Sequence, residues 1–405
     1  MALGLGLQAA GHDVRLCTGD NFRAFVSHYG LAFAPSGVDT HMFINQRIPA
    51  VLDSGRNTLQ AIRTVVREGM AFADSMWQGI QGACADADLI CANFIGFGAA
   101  CIAERRGIPM IMAHTTPLIG FTRTAPSLLF PTRRSLGAPL NGLTHQLGEF
   151  ALRQFVHQAF NQWRAASGLR PVSRAGWHFD SMPDLSIPML YAHSPTVLAR
   201  PADWRPDWHV TGFWFLDAPP DWTPPKSLTD FLAAGPPPVY IGFGSMSNRQ
   251  PAQTTAIVVE ALQRSGQRAI LATGWGGLAS SDQHGDLFVI DEVPHDWLFP
   301  QVAAVVHHGG VGTTAAGLRA GVPAVIVPQF GDQYFWGDHA QRIGAALRPL
   351  PRKQLTADKL AAALQQVTQD VDLRHRASAV GAMIRAEDGI IQAVRLIEAH
   401  AAQRN

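Results

Sequence analysis

A stretch of histidines, glycines and threonines carries the most specific chemistry of the sequence. Residues 307–314 read HHGGVGTT, after a short apolar run that predicts a buried strand and before a predicted helix over residues 315–320. Glycines let the backbone approach a ligand closely, and the free N–H groups at a helix start favour an anion. The side chains of His308, Thr313 and Thr314 would add hydrogen-bond donors there. We therefore predict a phosphate site, the plain alternative being a tight turn beside a core histidine.

Two polar residues follow the next predicted strand. Residues 324–327 are apolar, and the loop after them carries Asp332 and Gln333. In a parallel sheet, the loops at the carboxyl ends of neighbouring strands lie side by side, and ligands bind there. A diphosphate that bears a polyhydroxylated group would fit both loops.

The string HHGGVGTTAAGLRAGVP at residues 307–323 resembles the donor-site signature of the family 1 GT-B glycosyltransferases, the UDP-glycosyltransferase superfamily. Within that family it is most similar to the sterol-glucosyltransferase branch of bacteria and fungi. The resemblance extends over nearly the whole chain. It implies an α/β fold of the GT-B type, with two Rossmann-like domains facing each other across a cleft. It also implies a nucleotide-sugar co-substrate, UDP-glucose or a dTDP-sugar, and no cofactor.

The resemblance also assigns roles to individual residues of the donor site. The residues that would hold the donor diphosphate are His308, Gly310, Gly312 and Thr313, and those that would hold the sugar hydroxyls are Asp332 and Gln333. Plant members of the family carry a ribose-binding glutamate where this chain has Ala316. The resemblance therefore leaves the ribose contact unassigned.

Two further segments would meet the donor. VPHDWLF at residues 293–299 matches the family's nucleobase loop, in which backbone groups of Val293 would contact the base with His295 beside them. Trp275 would stack near the base or, alternatively, cap the sheet. Ser245, which closes the sequence GFGS after a predicted strand, is a candidate second donor to the phosphates.

Transfer of a sugar from a nucleoside diphosphate requires stabilisation of the leaving diphosphate and removal of the acceptor's proton. His308 and the helix start answer the first requirement without a metal, and the resemblance implies metal-free transfer with inversion. The catalytic base is unknown, because the family's base would come from a loop ahead of residue 1. His114 is a candidate base, or else it structures its own loop. Asp86-Ala-Asp88 imitates a metal signature at the wrong end of its strand, so no metal is predicted.

The acceptor side is less specific. Phe94, His114 and Phe121 are expected at the pocket, because they follow predicted strand ends or lie in the irregular segment 121–140. Apolar residues then recur at four-residue spacing on a predicted helix: Leu143, Leu147, Ala151, Phe155, Ala159 and Trp163. This stripe would wall a hydrophobic acceptor pocket. Alternatively it forms a membrane-surface patch, with arginines facing lipid headgroups or simply water: Arg123, Arg133 and Arg134.

Composition describes a globular protein without a nucleic-acid partner. The 405 residues carry a net charge of +1, with 47% apolar and 16% charged residues. The four cysteines have no Cys-x-x-Cys spacing and are expected to be buried thiols in a reducing compartment. No run reaches a membrane-span length and no signal peptide is evident. We expect a cytoplasmic location, with peripheral membrane contact left open and the oligomeric state unassigned.

The domain prediction has four parts. They are an acceptor-binding domain over 1–216, a proline-rich linker over 217–226, a nucleotide-sugar-binding domain over 227–385, and a last helix over 386–405 that, as the resemblance implies, returns to the first domain. The sequence opens with a predicted helix and a strand over 14–18, whereas the first strand of a doubly wound sheet usually lies in its middle. We therefore expect the first domain to lack its first strand, through a late start or because something else fills the gap.

Three functions remain open from the sequence. The first is transfer of a sugar to a lipophilic alcohol or phenol such as a sterol, a flavonoid or a macrolide. The second is a catalytically impaired relative that binds nucleotide sugar. The third is a sugar epimerase of the same fold, against which the apolar stripe between Leu143 and Trp163 argues.

Overall fold

The structure is a computed structural model. It describes residues 1–39, 72–117, 120–130, 134–173, 181–182, 185–244, 251–274, 285–329 and 331–403. The chain divides into two compact units. Unit 1 contains Met1–Pro195, Ala199–Trp214 and Asp388–Asn405, and unit 2 contains Thr196–Leu198 and Phe215–Glu387.

Helices and strands alternate along most of the chain. The first part of unit 1 contains α1 (Ala2–Ala9), β1 (Arg15–Thr18), α2 (Arg23–His28), β2 (Ala32–Pro35), α3 (Ala73–Ala83), β3 (Ile90–Ala92), α4 (Ala99–Arg106), β4 (Met110–His114), α5 (Ala138–Ala166), β5 (Ser181–Met182), β6 (Leu185–Ser186), β7 (Met189–Tyr191) and β8 (Trp208–Val210). Unit 2 contains α6 (Lys226–Ala233), β9 (Val239–Gly242), α7 (Pro251–Ser265), β10 (Ala269–Ala272), β11 (Leu287–Ile290), α8 (His295–Leu298), β12 (Ala304–His307), α9 (Val311–Ala320), β13 (Ala324–Ile326), α10 (Gln333–Arg342), α11 (Ala357–Gln369) and α12 (Val371–Arg385). The last helix, α13 (Gly389–Ala402), belongs to unit 1.

Unit 1 contains two separate parallel sheets among its described residues. One has the order β3-β4-β7-β8, and the other pairs β1 with β2; β5 and β6 form a short antiparallel ribbon. The prediction of a missing strand stays a prediction. The four cysteines are free thiols, and burial raises the pKa of Cys91 and Cys101 to about 12.

Two aromatic residues and one buried ion pair join the helices of unit 1. Trp77 of α3 stacks on Trp163 of α5 with ring centroids 5.6 Å apart. A Cβ added to Gly98, the residue before α4, would lie 2.7 Å from the same Trp163 ring, so a side chain there would not fit. Arg164 pairs with Glu104 at 2.6 Å, and both side chains are buried. These contacts fix the end of α5 against α3 and α4.

The predicted apolar stripe on α5 does not lie on one face. Residues four apart on an α-helix are displaced by about 40° around the axis, so five such steps turn the direction by about 200°. The structure shows the result: Leu143 is 46% exposed, whereas Trp163 is 3% exposed. The interpretation of one continuous wall is therefore wrong, because only the last part of the series faces the core.

Unit 2 is built on one parallel sheet with the order β11-β10-β9-β12-β13. Every residue of β9, β10 and β12 is buried, as expected for parallel strands with helices on both faces. The segment predicted to be a linker packs on this unit. There the backbone N–H of Ala218 donates to Asp296 at 3.0 Å, and Trp222 contacts Trp297.

Candidate functional site

The glycine-rich stretch lies where the strand order of unit 2 reverses. The chain runs from β9 through β10 to β11, and then returns to the other side of β9 as β12. Ligands of open α/β sheets bind at the carboxyl ends of strands at such a reversal. Residues 308–310 follow β12 at this point, and residues 243–244 follow β9 beside them.

Four strand ends pack closely through small residues. A Cβ added to Gly244 would lie 2.8 Å from Cε1 of His308, and one added to Gly274 would lie 3.0 Å from the carbonyl oxygen of Gly244. One added to Gly309 would lie 2.7 Å from the carbonyl oxygen of Gln333, which opens α10. Gly309 also has a φ of +92°, a conformation that favours glycine. The loops after β9, β10, β12 and β13 are therefore in direct contact.

Helix α9 begins earlier than the sequence indicated. Only Gly309 and Gly310 form the turn, and Gly312, Thr313 and Thr314 lie in the first helical turn. The predicted start at residue 315 was wrong, because a helix tolerates glycine in its first turn where few intrahelical bonds are made. The first N–H groups of α9 have no intrahelical acceptor and point out of its start.

The two threonines of α9 have different roles. The hydroxyl of Thr314 donates to the carbonyl oxygen of Gly310 at 2.9 Å, and the side chain is buried. Thr314 is therefore committed to the helix, and the expectation that it offers a donor to a ligand was wrong. Thr313 is half-buried, and no described residue provides a partner for its hydroxyl.

His308 presents an unpartnered nitrogen at the same place. Its Nδ1 is buried and has no hydrogen-bond partner among the described residues. A Cβ on Gly310 would collide with the other ring nitrogen, Nε2, so the ring lies directly over the start of α9. Burial lowers the pKa of His308 to about 4, which leaves the imidazole neutral at pH 7.

The adjacent His307 supports the turn from inside. It is 1% exposed at the end of β12, and its Nδ1 accepts the backbone N–H of Gly309 at 3.1 Å. Burial, reinforced by the imidazoles of His308 and His295, holds the pKa of His307 well below its ordinary value. No role was predicted for His307, although strand alternation should point one histidine of the pair inward.

Val293 and His295, two of the nucleobase candidates, are partly buried. His295 stacks on Phe299 with ring centroids 4.3 Å apart, and its Nε2 lies 3.4 Å from the hydroxyl of Tyr240. Burial lowers the pKa of His295 to about 4; Asp296 opposes this shift and His308 reinforces it. Val293 packs at the edge of the same core. The assignment of both residues to the base stays a prediction, as does that of Ser245 and Trp275, which lie outside the described residues.

The sugar candidates open α10. Asp332 is the residue before the helix, and Gln333 is its first residue, 4% exposed. Oε1 of Gln333 accepts the backbone N–H of Gln329 at 2.8 Å, which closes the loop after β13. The contact between Gly309 and Gln333 brings this loop beside the glycine turn, as the sequence predicted for loops of neighbouring parallel strands.

The acceptor candidates lie in unit 1 with different neighbours. Phe94 stacks on Phe97, and Phe121 contacts His145. His114 ends β4, is 6% exposed, and its Nε2 has no hydrogen-bond partner among the described residues. Burial lowers the pKa of His114 to about 4.

The described residues form neither a candidate metal site nor a membrane-spanning helix. No group of three or more histidine, cysteine, aspartate or glutamate side chains in the described ranges is arranged to hold a metal ion. Asp86 of the Asp-x-Asp imitation instead pairs with Arg15 at 2.6 Å. None of the described helices has the length and apolar character needed to cross a bilayer.

Two family descriptions match the chain. Residues 1–120 match the glycosyltransferase family 28 N-terminal domain, and residues 281–391 match the erythromycin biosynthesis protein CIII-like, C-terminal domain. A sterol 3-beta-glucosyltransferase of Arabidopsis thaliana is 35% identical over 407 residues, which cover 99% of this chain and 63% of that protein. A sterol 3-beta-glucosyltransferase of Cryptococcus neoformans is 35% identical over 430 residues, which cover 98% of this chain and 26% of that protein. The chain thus spans only part of the length of these relatives.

Solved structures share the fold at lower identity. The glycotransferase of kitacinnamycin is 20% identical with a TM-score of 0.70, covering 98% of this chain and 94% of that one. The glycosyltransferase VinC, solved in complex with DTDP, is 18% identical with a TM-score of 0.64. The match covers 99% of this chain and 95% of that one. With its two units of parallel α/β structure, the chain has the fold of these GT-B glycosyltransferases and is similar along nearly its whole length to the sterol 3-beta-glucosyltransferases.

Proposed function

We propose that the chain transfers a hexose from a nucleoside-diphosphate sugar, UDP-glucose in the first instance, to a hydroxyl of a lipophilic acceptor such as a sterol, a flavonoid or a macrolide. The names of the relatives support sugar transfer to a sterol, and a fold neighbour binds a nucleoside diphosphate. In this proposal unit 2 holds the donor and unit 1 the acceptor. The observation that carries it is the unpartnered Nδ1 of His308 over the start of α9.

The donor diphosphate would lie against the start of α9. As the bond between C1 of the sugar and the diphosphate breaks, its electron pair passes to the diphosphate, whose negative charge grows. The N–H groups of the first turn, the hydroxyl of Thr313 and an N–H of His308 would then donate to that charge. These groups are held in place before the reaction, so they can supply electrostatic stabilisation without a metal ion.

His308 would act through a neutral imidazole in the unliganded protein. Its pKa of about 4 means that the ring carries one N–H at pH 7. A bound diphosphate favours the protonated form and would raise that pKa. Asp332 and Gln333 would hold the sugar hydroxyls, and the backbone at Val293 the base.

The acceptor oxygen would attack C1 from the face opposite the leaving diphosphate, so the anomeric configuration would invert. Its proton must pass to a general base. His114 is a candidate, because it is neutral at pH 7 and its Nε2 has no partner among the described residues. Without a working base, the chain would be the alternative, a relative that binds nucleotide sugar and does not turn it over.

The first test is calorimetric titration of the purified chain with UDP and with dTDP. We expect His308→Ala to weaken nucleotide binding by about ten- to a hundredfold, the loss expected for one hydrogen bond to a charged group. The matched control is His375→Ala, which removes an exposed histidine of α12 in the same unit. The ratio of the two wild-type affinities would indicate the preferred base.

Equal binding by wild type and His308→Ala would contradict the donor-site assignment. Tight UDP binding without glucose transfer to any sterol, flavonoid or macrolide tested would favour the alternative function. Transfer that persists undiminished in EDTA would support metal independence.

A further inference from the structure

The first half of α5 exposes its apolar side. Within the part of the chain that the structure describes, eleven large apolar side chains are exposed, and six of them fall between Leu129 and Phe150. Four of them form a stripe on α5, here called the leucine face, and each is between 46% and 52% exposed: Leu140, Leu143, Leu147 and Phe150. Their spacing of three or four residues places them on one side of the helix.

The opposite side of α5 is small, polar and buried. The hydroxyl of Thr144 accepts the backbone N–H of Ser127 at 2.8 Å, and Asn141 donates to the carbonyl oxygen of Arg123 at 3.0 Å. A Cβ added to Gly148 would lie 3.0 Å from Leu129. Residues 120–130 therefore pack along the polar side of α5, and the apolar side of the helix is exposed. This is the reverse of a helix that packs its apolar side on a core.

Basic residues flank one end of the leucine face. A Cβ on Gly142 would lie 3.4 Å from Cγ of Arg123, which places this exposed arginine against the first turns of α5. Arg134 is exposed two residues before Leu136, whose N–H bonds to Asn141 of α5. Between residues 120 and 151 the sequence has three arginines and a single acidic residue. The start of α5, with its positive helix end, lies at the same place.

We propose that the leucine face is the surface by which the chain docks onto an anionic lipid membrane. Leucine and phenylalanine side chains would enter the boundary between headgroups and acyl chains, while the arginines meet lipid phosphates. A second copy of the chain fits less well, because a two-fold contact would set the same arginines against each other. This docking rests on the proposed function in one respect: a transferase that acts on a lipophilic acceptor could take that acceptor from the membrane.

The test is flotation of the whole chain with vesicles of phosphatidylcholine, alone or with about one third phosphatidylglycerol. We expect binding to the anionic vesicles that weakens as salt is raised. Leu143→Ser combined with Leu147→Ser should lower the partition coefficient by at least about tenfold. Arg123→Gln combined with Arg134→Gln should lower it on the order of tenfold for the anionic vesicles only.

The matched control is Val371→Ser combined with Met383→Ser, which removes two equally exposed apolar side chains from α12. This control should bind vesicles like the wild type, and all variants should keep the wild-type thermal midpoint. If the variant with both leucines replaced and the control variant bind anionic vesicles equally well, the proposal is overturned. It is equally overturned if the wild type ignores both vesicles, or if it forms a dimer in solution that the leucine pair abolishes.

UDP titration of the leucine variant separates the two proposals. An unchanged UDP affinity with lost flotation supports docking and leaves the donor site intact. Failure of the wild type to bind either UDP or dTDP would contradict the proposed function, while flotation would still decide the docking surface.

Discussion

Two neighbouring histidines at one strand end have opposite roles. His307 points into unit 2 and binds the backbone of the turn, whereas His308 turns over the start of α9 with an unpartnered nitrogen. Both are neutral at pH 7 because burial lowers their pKa. His307 therefore holds the backbone of the turn in place, and in the proposed function His308 donates a hydrogen bond to the ligand bound at that turn.

Replacing His307 tests the supporting role. We expect His307→Leu to lower the free energy of unfolding by about 1–3 kcal/mol, because the N–H of Gly309 would be buried without an acceptor. His307→Asn should recover part of this loss, since its Oδ1 can accept where Nδ1 does. Urea unfolding of unit 2 and UDP affinity are the measurements. Equal stability of the two variants would show that the hydrogen bond contributes nothing.

Residue types and strand order were enough to predict the glycine turn, His308 and the neighbouring Asp332 loop. The burial of His295 was not predictable, because its contacts with Tyr240 and Phe299 join residues far apart in the sequence. The same holds for Thr314. Its hydroxyl is used within α9, and that bond depended on a helix start four residues earlier than predicted.

At the scale of elements, the start of α9 is the feature on which the donor site depends. Gly310 precedes the helix with φ −61°, a conformation open to any residue, and only the ring of His308 forbids a side chain there. Gly312 is different, because an added Cβ would meet nothing within 4 Å. A side chain at position 310 would therefore disturb the packing of His308, whereas one at position 312 could disturb only a bound ligand.

A pair of alanine substitutions exploits this difference. Gly312→Ala should stabilise unit 2 by about 0.5–1 kcal/mol, because alanine is the better helix former, yet it should weaken UDP binding if a phosphate approaches that backbone. Gly310→Ala should displace His308 and weaken UDP binding as well as stability. Thermal midpoints and UDP titrations of the two variants give the comparison. Undiminished UDP affinity in both would remove the start of α9 from the donor site.

The faces of α5 show a limit of sequence patterns at this scale. Spacing alone predicted a long apolar helix correctly, but the four-residue repeat drifts around the axis, so exposure changes from Leu143 to Trp163. The segment 120–130 lies along the polar side of the first half, and nothing in a periodic pattern reports where an irregular segment will lie.

For the whole molecule, the α/β fold was predictable because buried parallel strands read as short, continuous apolar runs between turn signals. The exact ends of strands and starts of helices were less predictable, because they depend on hydrogen bonds that the pattern of apolar residues does not report. Neutral buried histidines are distributed over both units, with His114 in unit 1 and His295, His307 and His308 in unit 2.

These histidines make stability depend on pH. The unfolded chain takes up protons near pH 6.5, whereas the folded chain resists them until about pH 4, so the free energy of unfolding should fall as pH falls through that window. Each histidine can contribute up to about 3 kcal/mol. Tryptophan fluorescence in urea at several pH values measures the effect. His114→Gln should reduce the pH dependence of unit 1, unlike the exposed His375→Gln. A flat profile would contradict neutral burial.

Unit 1 draws on both ends of the sequence. The last helix contributes Ala393 and Ile397 to a buried cluster with Ile111 and Leu190, and Gly6 of α1 packs against Ile390. A ribosome delivers residues in order, so all of unit 2 emerges before α13 exists. The half that comes later in the sequence can therefore close its core first. The earlier half must wait, with that cluster uncovered, until the final helix has been synthesised.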